Sequence, residues 1–416
     1  MKLLSVDTVE QAREKIWALA KSWPLETEAV CGGGSRSQTF SRFLGRILAK
    51  DVYASCDIPG FNRATVDGYA LHAADTVGAG EAIPVFLRLT GSVLMGKPVS
   101  FSLSRGECAY VPTGGMLPDG ADAVVMDEYC ESAGVNVSVC QTVAPGAGLA
   151  LADEDFGKGG LLLRRGTLIR PQEAGALAAA GVESPEVFAP LKLGIFSTGD
   201  ELVTPGSAPL PGEIRDINSY ALKAQAERRH YRVLGSGIIR DDEEALEATL
   251  RETLTSCDIV VVSGGSSKGE KDSTANVINR VAKPGVFVHG LALKPGKPTI
   301  LGWDEESKTL FAGLPGHPVA AMLVFELLLG WLVDKLFERP EPFAIPARIS
   351  CNVPGSPGRM LCLPVALHLL GNSYLAQPVF GKSGMITTLT RADGYLLIDL
   401  NREGLKKDEA VMVHLF

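Results

Sequence analysis

Between residues 191 and 340 the chain alternates apolar runs with helical patterns, and this alternation restricts the fold more than any other feature. LKLGIFS, YRVLGSGII and DIVVVS are short, apolar and β-branched, which predicts strands. Residues 219–230, 242–255 and 273–281 carry helical spacing. Strands separated by helices predict βαβ units and a parallel sheet. Ligands of open α/β sheets lie beyond the carboxyl ends of the strands. The loops at those ends are therefore where chemistry is expected.

Three of those loops are unusual. One reads STGDE from Ser197, one reads SGGSSKGEKD from Ser263, and one is FAGLPGHP from Phe311. Ser263, Gly264 and Gly265 end an apolar run, and Lys268, Lys271 and Asp272 follow at once. Glycines let a backbone approach a ligand closely. Hydroxyls, free N–H groups and lysines suit phosphate oxygens, while carboxylates beside them suit a magnesium ion held between protein and phosphate. The same pattern also suits an ordinary solvated turn. It is not a Walker loop, because Glu270 and Lys271 stand where Lys and Ser or Thr belong. Gly235-Ser236-Gly237 lacks the third glycine of a dinucleotide fingerprint. ALKPGKPTILG adds two lysines, Lys294 and Lys297, around a turn set by Pro295 and Gly296. Such a pair suits a dianion.

Elsewhere the pattern changes. Residues 7–19 read as a helix, and residues 40–53 read as a second helix leading into a strand. Residues 83–143 hold short runs such as PVFLRL, ECAYV and AVVMDE between Gly, Pro and Asp, which predicts an all-β module. Residues 161–181 return to strand and helix, with Pro171 suited to a helix start. Residues 319–333 are the most apolar segment, but Glu326 interrupts them and a span needs about 20 residues. They read as a buried helix. Beyond Pro340, AIPARIS, YLLIDL and AVMVHLF predict a small β domain.

The whole chain has 416 residues, too many for one core. Its net charge of -8 argues against bulk binding to nucleic acid. The eight cysteines form no C-x-x-C pair and read as reduced thiols. The N-terminal apolar run is too short for a signal peptide. A cytoplasmic protein with no membrane span is expected.

Motifs in order along the chain carry a resemblance: PGFNRATVDGYAL from Pro59, VPTGGMLPDGADAVVMDE from Val111, DEDFGKGG from Asp153, STGDEL, GEIRDINSYAL, GIIRDD, SGGSSKGEKD, ALKPGKP and GLPGHPVAA. The chain resembles the molybdopterin molybdenumtransferase family of the MoeA type, which includes the E domain of gephyrin. The resemblance implies insertion of molybdate into adenylylated molybdopterin with release of AMP, supported by Mg²⁺. It implies an N-terminal α+β region over residues 1–190 with an inserted β domain at about 55–150. It also implies a central molybdopterin-binding α/β parallel-sheet domain over 191–340 and a C-terminal β domain over 341–416. The implied assembly is a homodimer whose cleft joins the central domain of one subunit to the inserted domain of the other. A molybdopterin adenylyltransferase and molybdoenzyme acceptors are the implied partners.

Residue by residue, the resemblance places Asp67 of VDGYA, Thr113 of VPTGG, Asp155 of DEDF, Glu201 of STGDEL, Asp241 of GIIRDD and Asp272 of GEKD in catalytic positions. Asp241 and Asp272 are the implied metal carboxylates. Ser263, Gly264, Gly265, Lys294, Lys297 and Gly316 would hold phosphate, and Arg359 of PGR and Ser383 of GKSG would add anion binding. Plainer roles compete: Asp67 as a turn former, Thr113 as a turn cap, Asp155 as a surface charge, and Asp242 as a helix cap. The chain also departs from the family pattern. His317 stands where the family usually has Asn, Ser266-Ser267-Lys268 replaces a usual Val-Ser, and Ala64 replaces a common Ser. Competing functional readings are a scaffold of the same fold without turnover and a paralogue that handles tungstate.

Overall fold

The computed structural model describes residues 6–29, 43–264 and 270–416, with the backbone alone for 270–272. The chain forms two compact units, Ala29–Val187 on the one hand and Met1–Glu28 with Phe188–Phe416 on the other.

In the Ala29–Val187 unit a six-stranded sheet runs Ala123–Met126, Gly68–Leu71, Glu107–Val111, Val85–Ser92, Asn136–Val139, Cys130–Ala133. Period-two alternation sends Tyr69 and Leu71 into one apolar cluster and Ala70 into another. The sheet is therefore covered on both faces. The expected helix within residues 40–53 is not formed by its described part. Residues 43–45 turn instead, with Gly45 at φ 76, a conformation that ends helical propagation. Ile47 and Leu48 then bridge to Leu168 and Val187, and only Val52–Tyr53 is a strand. The Pro171–Ala179 helix starts at its proline, as expected.

The second unit is built on another six-stranded sheet. Its order is Tyr231–Ile239, Leu191–Thr198, Ile259–Gly264, Thr309–Leu314, Ile300–Asp304, Pro284–His289. The first four strands are parallel, with helices Asn218–Arg228, Glu243–Thr253 and Glu270–Val281 between or after them. The last two strands are antiparallel, so the sheet is mixed rather than wholly parallel. The reason lies in the connections: Ile300–Asp304 and Thr309–Leu314 are joined by four residues, too few for a crossover. Leu246 and Leu250 of one helix and Val277 and Ile278 of another close the core over Val260, Val262 and Phe311.

The apolar stretch after Leu314 is a buried helix, Pro318–Phe325 and Trp331–Leu336, with a π-helical turn at Glu326–Gly330 between them. Glu326 is tolerated there because Arg229 pairs with it and Gln225 donates to it at 3.0 Å. No helix among the described residues is long and apolar enough to cross a membrane. The last segment forms a closed barrel. Met360–Leu370 pairs with both Ser373–Pro378 and Gly394–Ile398, and Ala344–Ile349 and Ala410–Leu415 complete the ring. Closure leaves the small barrel no long edge among these strands.

Candidate active site

At the carboxyl edge of the mixed sheet Thr198 lies in register with both Ile239 and Gly264, and Ser263 with Leu314, so loops 199–201, 240–242 and 315–317 leave side by side next to the strand end at Gly264. Gly264 has to be glycine here. A Cβ on it would lie 1.8 Å from Thr198 Oγ1 and 2.5 Å from the Thr198 carbonyl oxygen. The room left by its missing side chain is thus filled by Thr198, not kept for a ligand. Ser263 is also spent inwardly: its hydroxyl donates to the Pro315 carbonyl at 3.1 Å and accepts from Asn218 Nδ2 at 2.8 Å. The same Nδ2 donates to the Gly316 carbonyl at 2.7 Å. Ser263 and Gly316 therefore brace the edge. Gly265 and residues 266–269 lie outside the described residues, as does the side chain of Asp272, whose backbone belongs to the Glu270–Val281 helix.

Two buried residues that the sequence reading did not single out do this bracing. Asp216 accepts from the Ser197 hydroxyl at 2.8 Å and from the Ser219 N–H at 3.2 Å, and so ties a strand end to a helix start. Asn218 is 7% exposed, and its Oδ1 has no hydrogen-bond partner among the described residues. Both stand in GEIRDINSYAL, where Asp216, Asn218 and Ser219 cluster at the start of the Asn218–Arg228 helix, and that polar cluster was the available signal.

The acidic candidates of this unit sit beside the brace. Asp200 Oδ1 accepts from the Asp241 N–H at 3.3 Å, which holds the 199–201 and 240–242 loops together. Glu201 folds back over Gly199, where a Cβ would lie 2.6 Å from Glu201 Oε2. Asp242 is an N-cap, accepting from the Glu244 N–H at 2.8 Å. A hollow of about 60 Å³ opens among Thr198, Arg240, Asp241, Asp242, Ser273 and Thr274. Its donors other than Arg240 are oxygens, which suits a hard divalent cation in kind. Among the described residues no three His, Cys, Asp or Glu side chains form a metal-binding group.

A cleft of about 540 Å³, lined in part by Pro315 and His317 of the 315–317 loop, brings distant candidates together. Lys294, Lys297, His317, Arg359 and Ser383 all line it. The backbone explains how. Leu293–Lys294 pairs in parallel with Met360 and Leu361, so the Lys-Pro-Gly-Lys turn is stitched to the barrel next to Arg359. Gly296 makes that turn at φ 132, and a Cβ there would lie 2.7 Å from Leu293 Cδ2 and 2.8 Å from Val324 Cγ2. His317 Nδ1 is 2.7 Å from Ser383 Oγ, and the Val319 N–H donates to the Ser383 carbonyl at 3.1 Å. Among the described residues no carboxylate lines the cleft. Two lysines and an arginine with no carboxylate among the described lining residues form a strong attraction for an anion.

The other unit holds the remaining candidates. Asp67 Oδ1 accepts from the Thr113 N–H at 2.6 Å, so the structure brings those two together. That bond, with one from the Thr113 side chain, holds the Asp67 carboxyl below the usual carboxylate range. Asp155 is exposed, and its N–H donates to the Ile58 carbonyl at 3.0 Å.

A mixed α/β domain with a braced carboxyl edge, flanked by a barrel that completes a cationic cleft, defines a multidomain α/β protein. Known proteins specify the family. The MoeA N-terminal region (domain I and II) matches residues 8–181, the "Probable molybdopterin binding domain" matches 194–335, and the MoeA C-terminal region (domain IV) matches 346–416. A Methanocaldococcus jannaschii protein named for molybdopterin biosynthesis is 33% identical over 381 residues, covering 89% of this chain and 90% of that one. The molybdopterin molybdenumtransferase of Haemophilus influenzae is 27% identical over 417 residues, with 98% of each chain covered. The crystal structure of a Pyrococcus horikoshii MoeA protein for molybdopterin biosynthesis superposes with a TM-score of 0.79 at 36% identity, with 99% of each chain covered. The chain belongs to the molybdopterin molybdenumtransferase family of the MoeA type.

Proposed function

We propose that this protein is a transferase of molybdenum cofactor biosynthesis that inserts molybdate into adenylylated molybdopterin and releases AMP. The observation that supports the reading is the cleft of Lys294, Lys297, Arg359 and Ser383, which no carboxylate lines among the described residues and which shares the 315–317 loop with the braced edge of the sheet. The substrates are anions, a tetrahedral oxyanion and a pyrophosphate-bearing pterin nucleotide. Lysine and arginine side chains hold such groups by charge and by N–H donation. Asn218 presents a buried acceptor at the same edge.

Asp241 and Asp272 are the residues that would hold Mg²⁺, which when bound supplies positive charge to an otherwise acidic edge. The protein's own part is positioning. Asp216 and Asn218 fix the loops, and the cations of the cleft orient the oxyanion. Asp67, Thr113, Asp155 and Glu201 belong to the same proposal as residues that contact or orient the substrate. So do a homodimer as the working form, a cytoplasmic location, and domain divisions near residues 190 and 340 with an inserted β domain at about 55–150.

The test is AMP release from adenylylated molybdopterin on addition of molybdate, with Mg²⁺ titrated. Asp241→Asn and Asp272→Asn should each keep the fold and cut turnover about 100-fold, equivalent to about 3 kcal/mol. Intact, folded protein that neither releases AMP nor transfers molybdenum would overturn the enzymatic reading. Full turnover of both variants at low Mg²⁺ would overturn the metal role alone.

A further inference from the structure

A second cleft, of about 360 Å³, is lined by the Val9–Ala20 helix, the buried helix after Leu314 and two strands of the barrel. It shares no lining residue with the lysine cleft. Four cations line it, Arg13, Arg229, Lys335 and Arg339. Three carboxylates face them, Glu326, Asp334 and Glu341, which leaves one positive charge in excess. Glu326 is paired with Arg229, and Asp334 lies between Arg229 and Arg339. Lys335 and Glu341 are exposed to solvent. Arg13 is left, half-buried and with no ion pair among the described residues.

The Arg13 guanidinium has a built setting. Its Nε donates to the Leu327 carbonyl at 2.9 Å, and its Cζ lies 5.3 Å from the centre of the Trp331 ring. Leu327 belongs to the π-helical turn, and such turns are frequent at functional sites. The bond at Nε fixes the plane of the fork. The two terminal nitrogens have no hydrogen-bond partner among the described residues. Burial lowers the Arg13 pKa while Tyr395, Glu10 and Glu341 raise it, yet an arginine stays charged near neutral pH. Tyr395 lines the same cleft from the barrel. It is 7% exposed and stacks on His414 at 5.4 Å. Its hydroxyl also has no hydrogen-bond partner among the described residues. Burial pushes its pKa up to about 12, so near neutral pH it is an O–H donor. A buried donor without an acceptor costs free energy that a ligand oxygen would recover. Beside these donors Leu327, Trp331, Leu397 and Leu415 form an apolar wall.

We propose that this cleft binds a small organic monocarboxylate with an apolar body. The carboxylate accepts two parallel bonds from the Arg13 fork and a third from the Tyr395 hydroxyl. The body lies against Trp331 and Leu397. One negative charge is what the cleft matches, because its own three carboxylates repel a phosphate or a dicarboxylate. The lysine cleft, with no carboxylate among its described lining residues, makes the opposite selection. No covalent bond changes on binding. The volume falls within the roughly 300–1,000 Å³ of small-molecule sites.

Isothermal titration of the full-length protein with 3-phenylpropionate tests this, beside the neutral 3-phenylpropionamide and acetate. 3-Phenylpropionate should bind with a Kd on the order of 1 mM or tighter. The amide, which lacks the charge, and acetate, which lacks the body, should each bind about tenfold more weakly or worse. Arg13→Gln should weaken binding of the acid about tenfold, and Tyr395→Phe about threefold. Lys294→Ala, which alters the other cleft, should bind the acid as the wild type does. Absence of binding, equal affinity for acid and amide, or a loss that follows Lys294→Ala instead of Arg13→Gln overturns the proposal. If circular dichroism shows Arg13→Gln unfolded, Tyr395→Phe decides in its place, since it removes one oxygen and keeps the ring. Unchanged affinity in folded Tyr395→Phe then overturns the site.

Discussion

At the scale of single residues, glycines and lysines divide the work between packing and charge. Gly264 permits two strand ends to approach, since Thr198 occupies the space a side chain would need. Gly264→Ala should cost about 1–3 kcal/mol in denaturant unfolding through overpacking, with no dependence on salt. Wild-type stability in that variant would remove the close-approach role. Lys294 and Lys297 lie at an exposed rim of the cleft, and the role proposed for them works through charge. Changing both to Ala should weaken binding of adenylylated pterin more than binding of a neutral pterin. The deficit should shrink as salt rises toward 1 M, where screening acts within about 3 Å. Equal losses for the charged and the neutral ligand would sink this role. The SGGSSKGEKD stretch read as a phosphate cradle, but its described start, Ser263 and Gly264, is spent on packing and bracing. Whether a serine hydroxyl points to ligand or to Pro315 depends on a neighbour 52 residues away in sequence.

At the scale of elements, the buried helix after Leu314 depends on a charge cluster. Arg229 pairs with Glu326 in the π-helical turn, and lies 3.4 Å from Asp334, which Arg339 approaches at 2.8 Å. Burial raises the Asp334 carboxyl above its ordinary range, and Arg339 and Arg229 pull it back. Arg229→Met should cost about 3–5 kcal/mol at neutral pH, because Glu326 then stays buried without its cation and Asp334 loses one of two. A carboxyl whose pKa is raised in the folded state costs stability when ionised, and the cost fades as pH falls through that pKa. Arg229→Met raises it further, so the deficit should narrow in acid, as measured by thermal unfolding across pH. A deficit constant with pH would mean that packing, not charge, is what Arg229 supplies. The sequence marked this helix as buried and Glu326 as its interruption. It carried no sign of the π turn, which follows from seating Glu326 against a helix roughly 100 residues earlier.

At the scale of the whole molecule, the candidate residues are divided between two units: Asp67, Thr113 and Asp155 in one, and Glu201, Asp241, Lys294 and Arg359 in the other. The proposed homodimer is the assembly in which both sets would serve one reaction. Light scattering of active protein should give twice the 44.0 kDa chain mass, and dilution to monomer should abolish AMP release. A stable monomer with full turnover would reject the dimer as the working form.

The sequence by itself determined the alternating strands and helices, the buried segment after Leu314, the β regions on either side, and the family. These follow from local periodicity and from motifs that need no partner to be read. The tertiary structure alone decided which strands run antiparallel and which hydroxyls are spent on bracing. It alone placed Arg359 and Ser383 beside Lys294. That meeting rests on two backbone pairs, Leu293 with Met360 and Lys294 with Leu361, across more than sixty residues of chain. A short strand has many apolar partners it could pair with. The choice among them is made by burial and ladder geometry summed over the whole domain, which no local window contains.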